Sequence, residues 1–120
     1  MNRKTLVVGA SLKTNRYSNF AIRKLIDHDH DVIAIGQKSG EVAGVKVITE
    51  LQYFNDIDTV TLYLNPLRQT TYYEYIINLS PQRVIFNPGT ENREFYQLLS
   101  KAKIEVEVAC TLVLLSTNQY

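Results

Sequence analysis

Short runs of β-branched and apolar residues, most of them stopped by Gly, Asn or Pro, alternate along this chain with longer segments of helical period. Thr5–Val8 ends at Gly9, Val32–Ile35 at Gly36, and Arg83–Phe86 at Asn87-Pro88-Gly89. Val45–Ile48 and Thr59–Leu64 are further runs of this kind, the latter broken by Asn65-Pro66, and Ile104–Val108 reads as a sixth. Runs that are apolar throughout belong to strands covered on both faces. Between them, Ser18 is positioned to cap a helix with Ile22, Leu25 and Ile26 on one face, closed by Asp27–Asp31. Leu51–Phe54 reads as a short helical turn. Gln69–Leu79 carries Tyr72, Ile76 and Leu79 on one face and ends before Pro81. Thr90 reads as the cap of a helix bearing Phe95, Leu98, Leu99 and Ala102. Cys110–Leu115 reads as a short closing helix. Strands and helices in this order form βαβ units with right-handed crossovers. The expected fold is α/β: a Rossmann-like, doubly wound parallel sheet of five or six strands in three layers, with residues 1–120 as one domain.

Composition narrows the class of function. Lys and Arg number 13 against 12 Asp and Glu, a net charge of +1. This balance lacks the basic excess of a nucleic-acid binder and leaves room for a local anion site. With 45% hydrophobic and 21% charged residues the chain has the make-up of a globular protein. A chain of this size buries about two-thirds of its surface on folding, enough for a core without disulfides. The lone Cys110 forms neither an intrachain disulfide nor a cysteine-rich zinc site. The opening Met1-Asn2-Arg3-Lys4 leads only into the short apolar run Leu6–Ala10, too short for a leader peptide or membrane span. The expectation is a cytoplasmic protein that engages neither membrane nor nucleic acid.

In doubly wound sheets the ligand crevice lies beyond the carboxyl ends of the strands, where strand order reverses. This rule selects Gly9–Tyr17, Gly36–Lys38, Asn65–Arg68 and Asn87–Glu91, where Gly, Pro and Asn concentrate. The first loop reads as a phosphate cradle. Gly9 permits close backbone approach, and Ser11, Lys13 and Arg16 supply hydroxyl and cationic donors. The segment Gly9-Ala10-Ser11-Leu12-Lys13-Thr14 lacks both the dinucleotide fingerprint and the P-loop spacing. An NAD-binding domain places a carboxylate near the end of its second strand, to hold the ribose. Here the strand runs into Gln37-Lys38, which favours a ribose bearing a phosphate.

The segment Gly9-Ala10-Ser11 with Arg16-x-Ser18, the turn Asn87-Pro88-Gly89-Thr90-Glu91-Asn92 and the closing Val108-Ala109-Cys110-Thr111 resemble the small stand-alone CoA-binding proteins. These are similar to the CoA-binding domain of the succinyl-CoA synthetase alpha subunit. The resemblance spans nearly the whole chain. It implies coenzyme A as ligand, with Gly9, Ser11 and Lys13 on the pyrophosphate side and Gln37 and Lys38 toward the adenosine and its 3′-phosphate. It further implies that Asn65, Pro66, Asn87, Pro88, Gly89 and Thr90 flank the nucleotide and the pantetheine arm. Two segments depart from the family pattern: Lys13-Thr14, where proline is frequent, and Leu64-Asn65-Pro66-Leu67.

Other clusters read as structural. Asp27-His28-Asp29-His30-Asp31 falls at the amino end of the second strand, opposite the crevice, and reads as a solvated turn in which His30 takes a left-handed, helix-ending conformation. Its expected metal is none. Cys110 sits between Ala109 and Thr111-Leu112 and reads as buried. Tyr72, Tyr73 and Tyr75 read as core and rim, with surplus aromatic surface suited to a homodimer contact. No pair of carboxylates stands out as a general acid and base, so no catalytic residues are expected. The favoured function is a CoA or acyl-CoA binding protein without catalytic machinery of its own. The alternatives are an NADP-dependent enzyme and a ligand-free interaction module of the same fold.

Overall fold

The computed structural model describes residues 2–120. Seven strands form one sheet: β1 (Thr5–Ala10), β2 (Val32–Gly36), β3 (Gly40–Val42), β4 (Val45–Ile48), β5 (Thr59–Leu62), β6 (Arg83–Phe86) and β7 (Glu105–Val108). Their spatial order is β3-β4-β2-β1-β5-β6-β7, parallel throughout except for β3, which pairs antiparallel with β4. The helices are α1 (Tyr17–Asp27), α2 (Pro66–Gln69), α3 (Tyr73–Leu79), α4 (Arg93–Lys101) and α5 (Thr111–Ser116), with a 3₁₀ turn at Thr70–Tyr72. From β1 the chain winds outward through β2 and β4, then returns to β5 on the other flank of β1. Strand order therefore reverses between β1 and β5.

Alternation along the strands sends successive residues to opposite faces. Leu6, Val8, Val60, Leu62, Val84 and Phe86 meet Ile76 and Leu79 of α3 and Phe95 and Leu99 of α4 on one face. Val7, Ala34 and Val47 meet Ile22 and Leu25 of α1 and Leu115 of α5 on the other. These are the three layers expected of the α/β class. On the second face the β5–β6–β7 flank is polar. Arg83 is buried there and donates to Thr59 Oγ1, Glu107 Oε1 and the Tyr120 carbonyl, each at 2.8 Å. Its guanidinium lies 4.4 Å from the centroid of the Tyr120 ring.

The sheet has seven strands, not five or six. The added strand β3 is only three residues long, and its hairpin turns on Ala43 and Gly44 at φ +50 and +82. That is type I′ geometry without the Asn or Asp that usually announces it. Five other expectations shift. Arg16, not Ser18, is the N-cap of α1, and no side chain caps that end. Asn92, not Thr90, caps α4 by accepting from the Phe95 amide. The Gln69–Leu79 helix is divided into the end of α2, the 3₁₀ turn and α3, and Leu51–Phe54 has no regular structure. Asp29, not His30, takes the positive φ of +64 after α1.

His30 instead accepts a 2.8 Å hydrogen bond at Nδ1 from the Arg3 amide. Burial, with neighbouring positive charge, lowers its pKa below 6.5. The neutral ring is the form the fold prefers, so its contribution is present above pH 6.5 and is lost as pH falls through the lowered value. In His30→Asn, urea midpoints should fall less steeply from pH 7 to pH 5 than in the parent. Equal slopes would remove His30 from the acid response. At the end of β2, a Cβ on Gly36 would collide with the Ala10 carbonyl oxygen and lie 3.0 Å from Val47. Gly36→Ala should therefore cost about 2 kcal/mol in urea unfolding, the scale of overpacking against backbone.

Candidate functional site

The reversal of strand order leaves a gap beyond the carboxyl ends of β1 and β5. Gly9 stands at φ +93, and a side chain there would press within 3.0 Å of the Tyr63 backbone. The register of β1 against β2 shifts between Val8 and Ala10 at this point. The first loop thus leaves the sheet in backbone contact with the chain emerging from β5. Two bonds from α1 and one within the loop then brace it. Asn19 Nδ2 donates to the Ser11 carbonyl at 2.9 Å, Arg23 donates to the Thr14 carbonyl at 3.0 Å, and the Lys13 amide donates to Ser11 Oγ at 3.1 Å.

The result is an open cleft of about 660 Å³. Of the residues selected from the sequence, Gly9, Ser11, Lys13, Arg16, Gln37, Lys38, Asn65, Pro88, Gly89 and Thr90 line it. Pro66 and Asn87 do not. Pro66 opens α2 behind the rim, where its fixed φ suits the first helical position. Asn87 is buried, with its amide fully engaged: Nδ2 donates to Thr61 Oγ1 at 2.6 Å and to the Leu62 carbonyl at 2.9 Å, and Oδ1 accepts from the Thr111 amide at 2.8 Å. It joins β5, β6 and α5, with both Nδ2 hydrogens committed inside the protein.

Charge in the cleft is one-sided. Lys13, Arg16, Lys38 and Arg68 are among its lining residues, which include no Asp or Glu; Glu91 stands at the edge, its Oε1 accepting from the amide of the lining residue Gly89 at 2.8 Å. The ion pairs among the described residues, Arg3–Asp58 and Arg83–Glu107, involve none of these four. All four side chains are exposed. A chain with net charge of only +1 therefore concentrates four cations on one concave surface. Such a surface attracts a polyanion, and salt weakens that attraction.

Arg68 and Tyr17 fall inside the segments selected from the sequence without having been named as ligand contacts, while Tyr63 and Tyr72 fall outside those segments; all four line the cleft. The signal for Arg68 is its place three residues after Asn65, whose Oδ1 accepts the Arg68 amide at 3.1 Å and so starts α2 at the cleft edge. The Tyr63 hydroxyl is buried beside the Thr61–Thr111 hydroxyl pair without a well-aligned partner. Burial raises its pKa far above that of a free phenol, so it stays protonated at neutral pH. Cys110 is half-buried at the start of α5 and does not line the cleft. The surplus tyrosines have internal partners: the Tyr75 hydroxyl donates to the Gln52 carbonyl, and Tyr73 stacks on Phe95.

Fold and cleft together define a doubly wound α/β domain with a cationic crevice at its switch point. The chain belongs to the CoA-binding domain family, whose model matches residues 3–116. A solved structure of an uncharacterized protein is 48% identical with a TM-score of 0.97, covering 100% of this chain and 99% of that one. A hypothetical protein from Pyrococcus horikoshii OT3 is 30% identical with a TM-score of 0.83, covering 93% of this chain and 80% of that one. A Thermus thermophilus protein at 22% identity and TM-score 0.85, covering 98% and 91%, shares the fold. No curated protein matches the sequence.

The internal bonds of Asn87 make it a structural residue. Asn87→Ala should cost about 3 kcal/mol in urea unfolding, because it leaves a buried amide and carbonyl without partners. An unchanged midpoint would contradict that role.

Proposed function

We propose that this protein binds coenzyme A or an acyl-CoA in the cleft, as a cytoplasmic binding protein without catalytic machinery of its own. The observation that carries this reading is the set of four cations, with no carboxylate among them, lining the crevice of a CoA-binding-family fold. CoA presents a 3′-phosphate of about −1.5 to −2 charge together with a diphosphate, a distribution that needs several separated cations. Lys13 and Arg16 stand on the first loop beside the uncapped start of α1, which suits the diphosphate. Lys38 follows β2 and suits the 3′-phosphate. Arg68 stands across the cleft, on α2. The family membership supports the ligand class. The acyl group, the binding-only role and the cellular location are parts of the proposal.

Isothermal calorimetry with CoA, dephospho-CoA, NAD and NADP tests the reading. CoA should bind most tightly, and its affinity should fall between 0.05 and 0.5 M salt as exposed charges are screened, salt levels set by the steep change in Debye length from about 14 to 4 Å. Lys38→Ala should weaken CoA about tenfold, the scale of a charge-assisted hydrogen bond, and leave dephospho-CoA unchanged. Arg68→Ala should weaken both. Equal affinity of the parent protein for CoA and dephospho-CoA would overturn the Lys38 assignment. Absence of CoA binding would overturn the function.

A further inference from the structure

One wall of the cleft is made by two loops from neighbouring strands: the exit of β5, with Leu64, Asn65 and Arg68, and the exit of β6, with Pro88, Gly89 and Thr90. Beyond the ends of β5 and β6 the ladder stops, so something else must fix the spacing of these loops. Gln69 sits between them and is fully buried. Its Nε2 donates to the Leu64 carbonyl at 2.8 Å and to the Thr90 carbonyl at 2.7 Å, one on each loop. Its Oε1 accepts from Asn92 Nδ2 at 2.9 Å. Asn92 also donates to the Tyr73 hydroxyl at 2.7 Å, and its Oδ1 caps α4.

We infer that Gln69 is a positioning residue for the cleft, a strut that fixes the separation of the β5 and β6 loops and turns their carbonyl oxygens away from an anionic ligand. Two features argue for this over simple core packing. A buried amide is costly unless its hydrogen bonds are made, and an apolar side chain of the same size would fill the space without that cost. Every bond of this amide ends on a cleft loop or on the residue capping the helix that follows. The two carbonyls it engages belong to Leu64 and Thr90, both lining residues. Free to point into the crevice, they would set the negative ends of their dipoles against a bound phosphate. Held by Gln69, they leave that wall to the Arg68 guanidinium.

The inference rests on the CoA reading and extends it: Gln69 serves the part of the ligand that crosses the β5 and β6 loops and not the part held near Lys38. The test compares CoA with adenosine 3′,5′-bisphosphate, which keeps the 3′-phosphate assigned to Lys38 and the first phosphate of the diphosphate but lacks the second phosphate and the pantetheine arm. Gln69→Met keeps the volume and removes all three bonds. Its CoA affinity should fall about tenfold while the bisphosphate affinity stays within about twofold, the scale of one to two lost hydrogen bonds at one end only. Hydrogen exchange in the ligand-free variant should quicken at residues 64–69 and 87–92 and not elsewhere. Asn92→Ser serves if Gln69→Met does not fold. Serine retains the capping acceptor and loses the donor to Gln69, so the same split is expected at about two- to threefold. Equal loss of both probes, or no loss of either, would overturn the strut while leaving the CoA reading intact. A parent protein that binds no CoA would overturn the CoA reading itself, and hydrogen exchange in Gln69→Met would still decide whether Gln69 ties the loops.

Discussion

β1 is hydrogen-bonded along both edges, to β2 from Thr5 through Ala10 and to β5 from Thr5 through Val8. It is also covered on both faces, so Leu6, Val7 and Val8 are wholly inaccessible to water. A strand in that position has no freedom of register, because a slip by one residue would exchange the two faces and place each core set in the wrong layer. The geometry at its carboxyl end follows from this fixation. The chain leaves at Gly9 against the Tyr63 backbone, Ala10 meets Gly36, and Leu12 lies over Gly40. The cleft is the space those crossings enclose. Its location is set by the strand order and its depth by how closely three segments of backbone approach one another.

Polar residues in and around this space fall into two populations with opposite environments. Asn87, Gln69, Asn92, Thr61 and Thr111 are buried, bonded to one another or to backbone, and hold the loops. Lys13, Arg16, Lys38 and Arg68 are exposed and have no carboxylate partner among the described residues. Buried amides pair because leaving them unpaired is costly in a medium of low polarity. Exposed cations tolerate one another because water and salt screen them. The same division separates rigidity from recognition: the first population sets distances, and the second supplies attraction to a ligand. A third polar region, around Arg83, Glu107 and Tyr120, ties strands far from the cleft and takes no part in either task.

How much of this could be read in advance differs from element to element. β1, β2, β5 and β6 were legible because each is an apolar or β-branched run that ends near Gly, Asn or Pro, and β4 because Val45, Val47 and Ile48 surround a single lysine. β3 was not, because three residues carry too little period and Ala43 does not advertise a positive φ. The break between α2 and α3 was hidden because Tyr72, Ile76 and Leu79 keep a helical spacing that runs on past the 3₁₀ turn. Residue type and place after a strand were enough to pick out Gly9, Ser11, Lys13, Arg16, Gln37, Lys38, Asn65, Pro88, Gly89 and Thr90, which line the cleft. Asn87 lies outside that lining, and an asparagine after a strand reads alike whether its amide faces solvent or ties β5 to α5.

The sequence by itself determined the layer architecture, the positions of the strand-end loops and the presence of cations in them. These depend on local period and on residue type, which are properties of neighbouring residues along the chain. Only the tertiary structure decided which polar groups remain free. Gln69 and Arg68 are adjacent in sequence, yet one is sealed between two loop carbonyls and the other stands in the cleft. Their difference arises from contacts with Leu64, Thr90 and Asn92, as much as 23 residues away along the chain. Hydrogen bonding between distant segments leaves no mark in the local pattern.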